Sequence, residues 1–283
     1  MQLSLAYSPC PNDTFLFYHL VHSNLSSNFQ VKEELHDVEH LNQKAVQAFY
    51  DVTKLSFFAF FHVLENYILL NTGSALGRGC GPILVKKQGK KLSSINNKKI
   101  LVPGLWTTAN LLLNLYLQSN FEPIPVRYDL IINKLLNEEY ELGVIIHEER
   151  FTYEKRGLEK VQDLGEFWEE KTSLPIPLGA IAIKRNLPEE IKAEFELTLR
   201  KSLDMAYANP KIPHDYIIKH SQEKDLQVVQ NHIDLYVNQY TREIGEDGKQ
   251  AVIRLLQEAQ EVGLVCRTDS NSIERHIFFS LKK

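Results

Sequence analysis

The stretch Pro82-Ile83-Leu84-Val85-Lys86 has the pattern of a short buried strand, and the charged segment 86–99 follows it. Before this stretch, strand-like and helix-like segments alternate, and the same alternation starts again at residue 99. A comparable strand pattern at Gly179–Lys184 precedes a mostly helical C-terminal part. Alternation of this kind indicates α/β units with parallel sheets and helices on both faces. We therefore predict two α/β lobes, with one chain crossing in each of these two strands.

The late helices are expected to return to the first lobe, which makes that lobe discontinuous. We predict a larger lobe from residues 1–88 plus 180–283 and a smaller lobe from residues 89–179. Three local predictions follow from the patterns along the chain. Asn12 or Asp13 is expected to cap the first helix, and Phe60–Leu69 is expected to be a helix. A polar loop is expected between the strands Leu142–His147 and Gly179–Lys184.

The composition is that of an ordinary globular protein. Of 283 residues, 43% are hydrophobic and 24% charged, and 32 Lys and Arg against 36 Asp and Glu give a net charge of −4. This balance provides no general attraction for nucleic acid or anionic membranes, so neither is an expected partner. A chain of this length buries about three-quarters of its unfolded surface and needs no metal or disulfide to fold.

Cysteine usage and the N-terminus suggest the compartment. The three cysteines, Cys10, Cys80 and Cys266, are far apart and form no CxxC pair, which argues against structural zinc and a disulfide framework. The first residues lack the basic and apolar segments of a signal peptide, and no apolar run reaches the about 20 residues of a membrane span. We expect a cytoplasmic protein without membrane insertion, and the sequence leaves the oligomeric state open.

His147 is the first candidate functional residue. It follows the apolar run Gly143–Ile146 at a strand-to-loop transition, and ligands of open α/β sheets bind beyond the carboxyl ends of strands. A neutral imidazole there could act as a general base. The structural alternative is a histidine that ends the strand and bonds to backbone. Glu148 could orient the ring, although neighbours in a strand face opposite sides.

Two polar blocks suit an anionic ligand. Thr107-Thr108-Ala109 opens a helix, where free N–H groups and the helix dipole attract a carboxylate or phosphate, although simple capping would also explain the threonines. Lys54-Leu55-Ser56 lies in an apolar strand, with Lys54 and Ser56 on one face. A buried lysine needs a partner, which is either a substrate anion or a protein carboxylate.

Three other motifs are interpreted structurally. Cys10 could be a nucleophile, but no base lies near it in sequence, so a small buried residue is favoured. Gly77–Pro82 lacks the lysine of a phosphate loop and is better interpreted as flexible backbone at a crossing, with the role of Arg78 left open. His36 and His40 have helical metal-ligand spacing, but solvated polar residues are favoured, and no metal site is predicted.

Several of these motifs together resemble a known family. Ser8–Phe15 is similar to the N-terminal signature of the 1,4-dihydroxy-6-naphthoate synthases, which belong to the futalosine route of menaquinone biosynthesis. Further blocks match in order: Thr53–Ser56, Leu76–Pro82, Pro103-Gly104 with Thr107–Ala109, Ile145–Glu148 with Arg150–Tyr153, Asp163–Gly165, and Leu174–Gly179. The resemblance spans about residues 8 to 180, and the set is far more specific than any one block.

The resemblance implies an α/β fold like that of type II periplasmic binding proteins, with two lobes around a central cleft. It implies a carbon–carbon lyase that converts cyclic dehypoxanthinyl futalosine to 1,4-dihydroxy-6-naphthoate and dihydroxyacetone. It gives the proton-accepting role to His147 and substrate binding to Lys54, Leu55, Ser56, Thr107, Thr108 and Ala109. The expected partner is a small anionic substrate, and such an elimination needs no metal or redox cofactor.

Two alternatives stay open. One is a cytoplasmic binding module of the same fold that captures a small carboxylate. The other is the related chorismate dehydratase of the same pathway. The His147 block and the missing export signal favour an enzyme over a binding module, and the Ser8–Thr14 block fits the synthase better than the dehydratase.

Overall fold

The computed structural model describes residues 1–92, 95–266 and 277–280. Predictions for the middle of the charged connector and for the last residues of the predicted first lobe therefore lie outside the described residues. The strands are β1 (Gln2–Tyr7), β2 (Gln30–Leu35), β3 (Val52–Ser56), β4 (Tyr67–Leu69), β5 (Ala75–Gly77), β6 (Ile83–Lys87), β7 (Lys99–Val102), β8 (Glu122–Pro125), β9 (Leu142–Ile145), β10 (Leu158–Asp163) and β11 (Ile176–Lys184).

Helices connect and cover these strands. The α-helices are α1 (Pro11–His22), α2 (Val38–Val46), α3 (Phe57–Phe60), α4 (Thr108–Leu117), α5 (Ile131–Leu136), α6 (Leu164–Thr172), α7 (Glu189–Ala208), α8 (His214–His220), α9 (Leu226–Tyr236), α10 (Gln239–Arg242) and α11 (Gly245–Glu261). Short 3₁₀ helices lie at Tyr128–Leu130 and His147–Phe151. No helix in the described ranges is long and apolar enough to cross a membrane.

The strands form two mixed sheets. The first has the order β2-β1-β3-β11-β4, with β5 also paired to β11, and the second has the order β10-β6-β9-β7-β8. The expectation of parallel sheets is confirmed only in part: β1 pairs in parallel with β2 and β3, and β7 with β8 and β9, but β11 runs antiparallel to β3, β4 and β5, and β6 runs antiparallel to β9 and β10. Both strands arrive by crossing from the other sheet rather than through a βαβ unit, so nothing requires them to run parallel to their neighbours.

Two local predictions are wrong. The predicted helix Phe60–Leu69 does not form. The helix α3 already ends at Phe60, and Tyr67–Leu69 is a strand that pairs with β11. The predicted polar loop after His147 contains β10 and α6. Since β10 is an edge strand, it carries charged side chains without a clear apolar alternation, and this hid it in the sequence.

The two sheets share one hydrophobic core. Leu55 and Ala182 of the first sheet belong to the same buried cluster as Leu84 and Val144 of the second. A separate cluster fills the other face of the first sheet under α1 and α7. The shared core holds the strand ends of the two sheets in a fixed relation, which positions the residues that follow those strands.

The expected lobe boundaries stay a prediction. The strand β6, which the expected division assigns to the first lobe, pairs within the second sheet. All of β11 pairs within the first sheet, although the expected boundary falls at residue 179.

Candidate active site

A cleft of about 680 Å³, counted with the space open to solvent, lies where strands of both sheets end. It is reached by the ends of β1 and β3 from the first sheet and by the segments that follow β7 and β9 from the second. All seven candidate site residues line it: Lys54, Leu55, Ser56, Thr107, Thr108, Ala109 and His147. The structure therefore brings together residues from three separate sequence blocks.

The N-terminus of α4 contributes backbone donors to the cleft. Thr107 caps the helix, because its Oγ1 accepts a hydrogen bond from the Asn110 N–H at 3.2 Å and donates to the Gly104 carbonyl at 2.7 Å. The Thr108 hydroxyl donates to the Leu178 carbonyl at 2.7 Å. Within the part of the chain that the structure describes, the N–H groups of Thr108 and Ala109 donate no hydrogen bond. These two groups, rather than the hydroxyls, are available to an anion.

The cap at Thr107 gives a stability prediction. Thr107→Val keeps the shape of the side chain but removes the oxygen that accepts from Asn110, so we expect the free energy of unfolding to fall by about 1 kcal/mol. Thr107→Ser keeps that oxygen and is the matched control. Urea unfolding of both variants measures the effect, and equal losses in the two would show that packing, rather than the cap, matters.

The partner of Lys54 is a protein carboxylate. Its Nζ lies 2.7 Å from Asp13 Oδ1, and both side chains are buried. Asp13 Oδ1 also accepts from Asn12 Nδ2 at 2.8 Å, and Oδ2 accepts from the Ser8 hydroxyl at 2.7 Å. The positive charge of Lys54 is thus already balanced before a ligand binds.

The first helix is not capped as expected. Cys10 occupies the N-cap position without a side-chain hydrogen bond, so the prediction of a cap at Asn12 or Asp13 is wrong. Pro11 is the reason, because proline favours the first helical position and moves the helix start ahead of both residues. The freed Asn12 and Asp13 side chains take part in the cleft instead.

The other predicted binding residues are held firmly. Ser56 exchanges two hydrogen bonds with the buried Asn42: its N–H donates to Oδ1 at 2.8 Å, and its Oγ accepts from Nδ2 at 3.1 Å. Leu55 is fully buried, and Ala109 nearly so. Leu55 and Ala109 can shape the wall of the cleft but offer a ligand no polar side-chain atom.

His147 lies at a sharp turn of the backbone. Its φ of 57° is in the left-handed region, and the chain passes directly from β9 into a 3₁₀ helix. Its Nδ1 lies 3.5 Å from Cys10 Sγ, and its Nε2 is covered and has no hydrogen-bond partner among the described residues. Burial lowers the pKa of His147 to about 4, with Asp13 acting against this shift and Lys54 adding to it. The ring is therefore neutral at pH 7 and can accept a proton.

Cys10 and Glu148 are close to this ring. The three potential ligand atoms of Cys10, His147 and Glu148 lie within 4.8 Å of one another. Because the chain turns at His147, the alternation expected for a strand does not keep Glu148 on the opposite side. Burial raises the pKa of the Glu148 carboxyl to about 6 and that of the Cys10 thiol well above its usual value. The sequence could not show the Cys10–His147 contact, since 137 residues separate the two.

These three side chains have the donor types of a zinc site. Bond lengths of about 2.3 Å to sulfur and 2.0 Å to nitrogen give a tetrahedral edge of about 3.5 Å. The Cys10 Sγ to His147 Nδ1 distance of 3.5 Å matches that edge. The Glu148 carboxylate, within 4.8 Å of both, would complete a three-ligand set only after a small approach.

His232 is a cleft residue that the sequence analysis missed. It lies on α9 within an ordinary apolar stripe, and nothing in that pattern marks a binding residue. Its Nε2 lies 2.9 Å from Asn12 Oδ1, and its ring centroid lies 6.2 Å from that of His147. The cleft therefore holds two histidines that approach from different parts of the chain.

Of the other interpreted motifs, His36 and His40 do not line the cleft, whereas Cys80 and Pro82 of the segment Gly77–Pro82 do. The His36 and His40 rings stack at 4.2 Å, and His36 Nε2 lies 3.5 Å from Glu34. In the segment Gly77–Pro82, the Gly79 N–H donates to Glu169 at 2.7 Å, and Arg78 donates to the Ser173 carbonyl at 2.8 Å. The segment is thus hydrogen-bonded to α6 and to the residue after it, and its expected flexibility stays a prediction.

The chain has a fold of the periplasmic-binding-protein type. A Candida albicans gene product described as having the generic periplasmic binding protein structural fold superposes with a TM-score of 0.70, at 11% identity, over 100% of this chain and 99% of that one. The Archaeoglobus fulgidus protein AF1704 gives a TM-score of 0.88 at 36% identity, over 93% and 98% of the two chains. The expected fold class is confirmed.

The chain belongs to the menaquinone biosynthesis family, whose pattern matches residues 3–261. It is 44% identical over 262 residues to the Thermus thermophilus protein named 1,4-dihydroxy-6-naphtoate synthase, with 93% of this chain and 95% of the relative covered. A Streptomyces coelicolor protein of the same name is 37% identical over 268 residues, with 93% and 94% covered. The family resemblance inferred from the sequence blocks is thereby confirmed.

Proposed function

We propose that the protein is a carbon–carbon lyase that converts cyclic dehypoxanthinyl futalosine to 1,4-dihydroxy-6-naphthoate and dihydroxyacetone in menaquinone biosynthesis, in the cytoplasm. The observation that carries the proposal is a neutral His147 that lines a cleft shared with the open N–H groups of α4. The synthase name of the two relatives supports the naphthoate product.

His147 acts as the general base in this proposal. In this proposal the hydrogen is on Nδ1, which lies 3.5 Å from Cys10 Sγ, and the lone pair is on Nε2, the nitrogen without a partner among the described residues. Nε2 removes a proton next to a carbonyl of the substrate. Carbon–carbon cleavage then releases the three-carbon fragment, and aromatisation of the remaining ring drives the reaction. A positioned base of this kind contributes about 10²–10⁴-fold to the rate.

The carboxylate of the substrate binds at the N-terminus of α4. Asp13 already neutralises Lys54, so the cleft offers no unbalanced cation from that block. The N–H groups of Thr108 and Ala109 have no partner among the described residues and carry the positive end of the helix dipole. Lys54 and Ser56 then serve an oxygen-rich part of the substrate as polar contacts rather than as a charge.

One incubation tests the proposed reaction. The purified protein is mixed with cyclic dehypoxanthinyl futalosine, and mass spectrometry follows the naphthoate and dihydroxyacetone. We expect both products in equal amounts. Tight binding without either product would instead support the small-carboxylate binding module. If the protein neither bound the compound nor formed a product, both the lyase and the binding module would be contradicted.

The pH dependence of the reaction follows from the burial of His147. A base must be neutral, and burial lowers the pKa of this ring from 6.5 to about 4. We therefore expect kcat/KM to stay level as the pH falls through 6.5 and to decline near pH 4. Protonation of Glu148 near pH 6 removes a neighbouring negative charge and lowers the pKa of His147 further, so it does not raise this limit.

The measurement is kcat/KM at constant ionic strength between about pH 4 and 8, with circular dichroism to show that the protein stays folded. An acid limb near 6.5 would contradict a buried base.

A further inference from the structure

We propose that His232 is a further substrate-binding residue, whose Nδ1 accepts a hydrogen bond from a hydroxyl group of the substrate. The inference rests on the proposed function and adds a second polar contact to the same cleft. His232 is fully buried, lines the cleft, and lies on α9, whereas His147 follows β9. His232 lies in none of the sequence blocks that carry the family resemblance.

A chain of hydrogen bonds fixes which nitrogen of His232 carries the proton. Lys54 Nζ and Asn12 Nδ2 both donate to Asp13 Oδ1, at 2.7 Å and 2.8 Å. A carboxylate paired with a lysine only accepts, so the amide nitrogen of Asn12 must face it. The amide oxygen then faces His232 Nε2 at 2.9 Å, and because an amide oxygen also only accepts, Nε2 carries the hydrogen.

The second nitrogen of the ring is left as an acceptor. Burial holds the pKa of His232 well below its usual value, so the ring is neutral and Nδ1 keeps its lone pair. Nδ1 is covered and has no hydrogen-bond partner among the described residues. A buried acceptor without a partner is costly, and a group that enters the cleft can supply the missing donor.

This arrangement specifies the chemistry of the ligand. A lone pair accepts from a hydroxyl or N–H and repels a carboxylate or carbonyl oxygen. The N–H groups of Thr108 and Ala109 have the opposite preference, because they donate. The two positions together would orient a substrate that has an acid at one end and hydroxyl groups at the other, with the hydroxyl end towards His232.

Two substitutions of His232 separate the two nitrogens. In His232→Gln, the terminal amide takes the position of Nε2 and can still donate to Asn12, but the acceptor at Nδ1 is lost. In His232→Asn, the shorter side chain places an amide oxygen near the position of Nδ1 and keeps an acceptor there. His19→Gln is the matched control, because His19 is also buried with one unpartnered ring nitrogen but lies outside the cleft.

Binding is measured by calorimetry with cyclic dehypoxanthinyl futalosine in proteins that also carry His147→Asn, so that turnover does not interfere. We expect His232→Gln to raise Kd about 5- to 100-fold, since a substrate hydroxyl loses its buried acceptor. His232→Asn should recover most of the affinity, and His19→Gln should stay within about twofold of the parent. Equal losses in the Gln and Asn variants, or no loss in the Gln variant, would overturn the proposal.

A second measurement does not depend on substitution. Nitrogen-15 NMR of the histidine rings in the unsubstituted protein is expected to show His232 neutral, with the hydrogen on Nε2 and none on Nδ1. A hydrogen on Nδ1 would overturn the proposal, whatever the reaction proves to be. Failure of the proposed function would appear separately, as an absence of naphthoate from the unsubstituted protein.

Discussion

Replacing His147 with asparagine is expected to lower kcat by about 10²–10⁴-fold while the Kd for the substrate changes little. The neutral ring is the base in the proposed reaction, and an amide cannot accept a proton at neutral pH. Asparagine is chosen because it tolerates the left-handed backbone, and φ at His147 is 57°. The turn after β9 should therefore keep its shape, so that a loss of rate reports chemistry rather than refolding of the loop.

Single-turnover kinetics and calorimetry on the same preparation test this expectation. His36→Asn makes the same change at a partly exposed position outside the cleft and should leave both quantities unaltered. Near-normal turnover of the His147 variant would remove this residue from the mechanism. If binding were lost together with turnover, the ring of His147 would serve to bind the substrate rather than to remove its proton.

Replacing Lys54 with methionine is expected to cost about 3–5 kcal/mol of the free energy of unfolding. Methionine fills a similar volume, but it leaves the Asp13 carboxylate buried without the cation that lies 2.7 Å away. The remaining hydrogen bonds from Ser8 and Asn12 do not supply a charge. A large loss follows from the uncompensated charge, not from the pair having been strongly stabilising in itself.

Denaturant unfolding compares this variant with Lys98→Met. Lys98 also forms a close pair, at 2.7 Å from Glu141, but the Glu141 side chain is more than half exposed. We expect the control to lose at most about 1 kcal/mol, because solvent screens an exposed pair. Similar small losses in both variants would show that water reaches Lys54 and that its charge is not confined in the cleft.

The sequence blocks predicted which residues form the site, but not which residues they contact. Lys54, Thr107 and His147 could be chosen because each follows or lies in a strand whose end faces a cleft in α/β folds. The partner of Lys54 could not be chosen between a substrate and a protein carboxylate, since Asp13 is 41 residues away. Such pairings depend on the order of strands in the sheet, which local patterns do not specify.

The fold was predictable in outline for a similar reason. Hydrophobic periodicity and apolar runs predicted the positions of most strands and helices, because these signals are local. The direction of β6 and β11 depends on which sheet each strand joins, and that is a property of the whole chain. His232 was missed because its helix has an ordinary apolar stripe, and its role depends on Asn12, which is 220 residues away.

The position of β11 also has a consequence for the order in which the chain folds. It lies between β3 and β4 in the first sheet, yet it is made only after every strand of the second sheet. Until residue 184 has left the ribosome, β3 has one open edge and β4 has no strand partner in that sheet. The pairing of β3 and β4 therefore depends on a strand that is distant in sequence. Such long-range pairing slows folding, and until it forms the unpaired strand edges are exposed to other chains. We expect nascent chains that end before Ile176 to be the species most in need of chaperones.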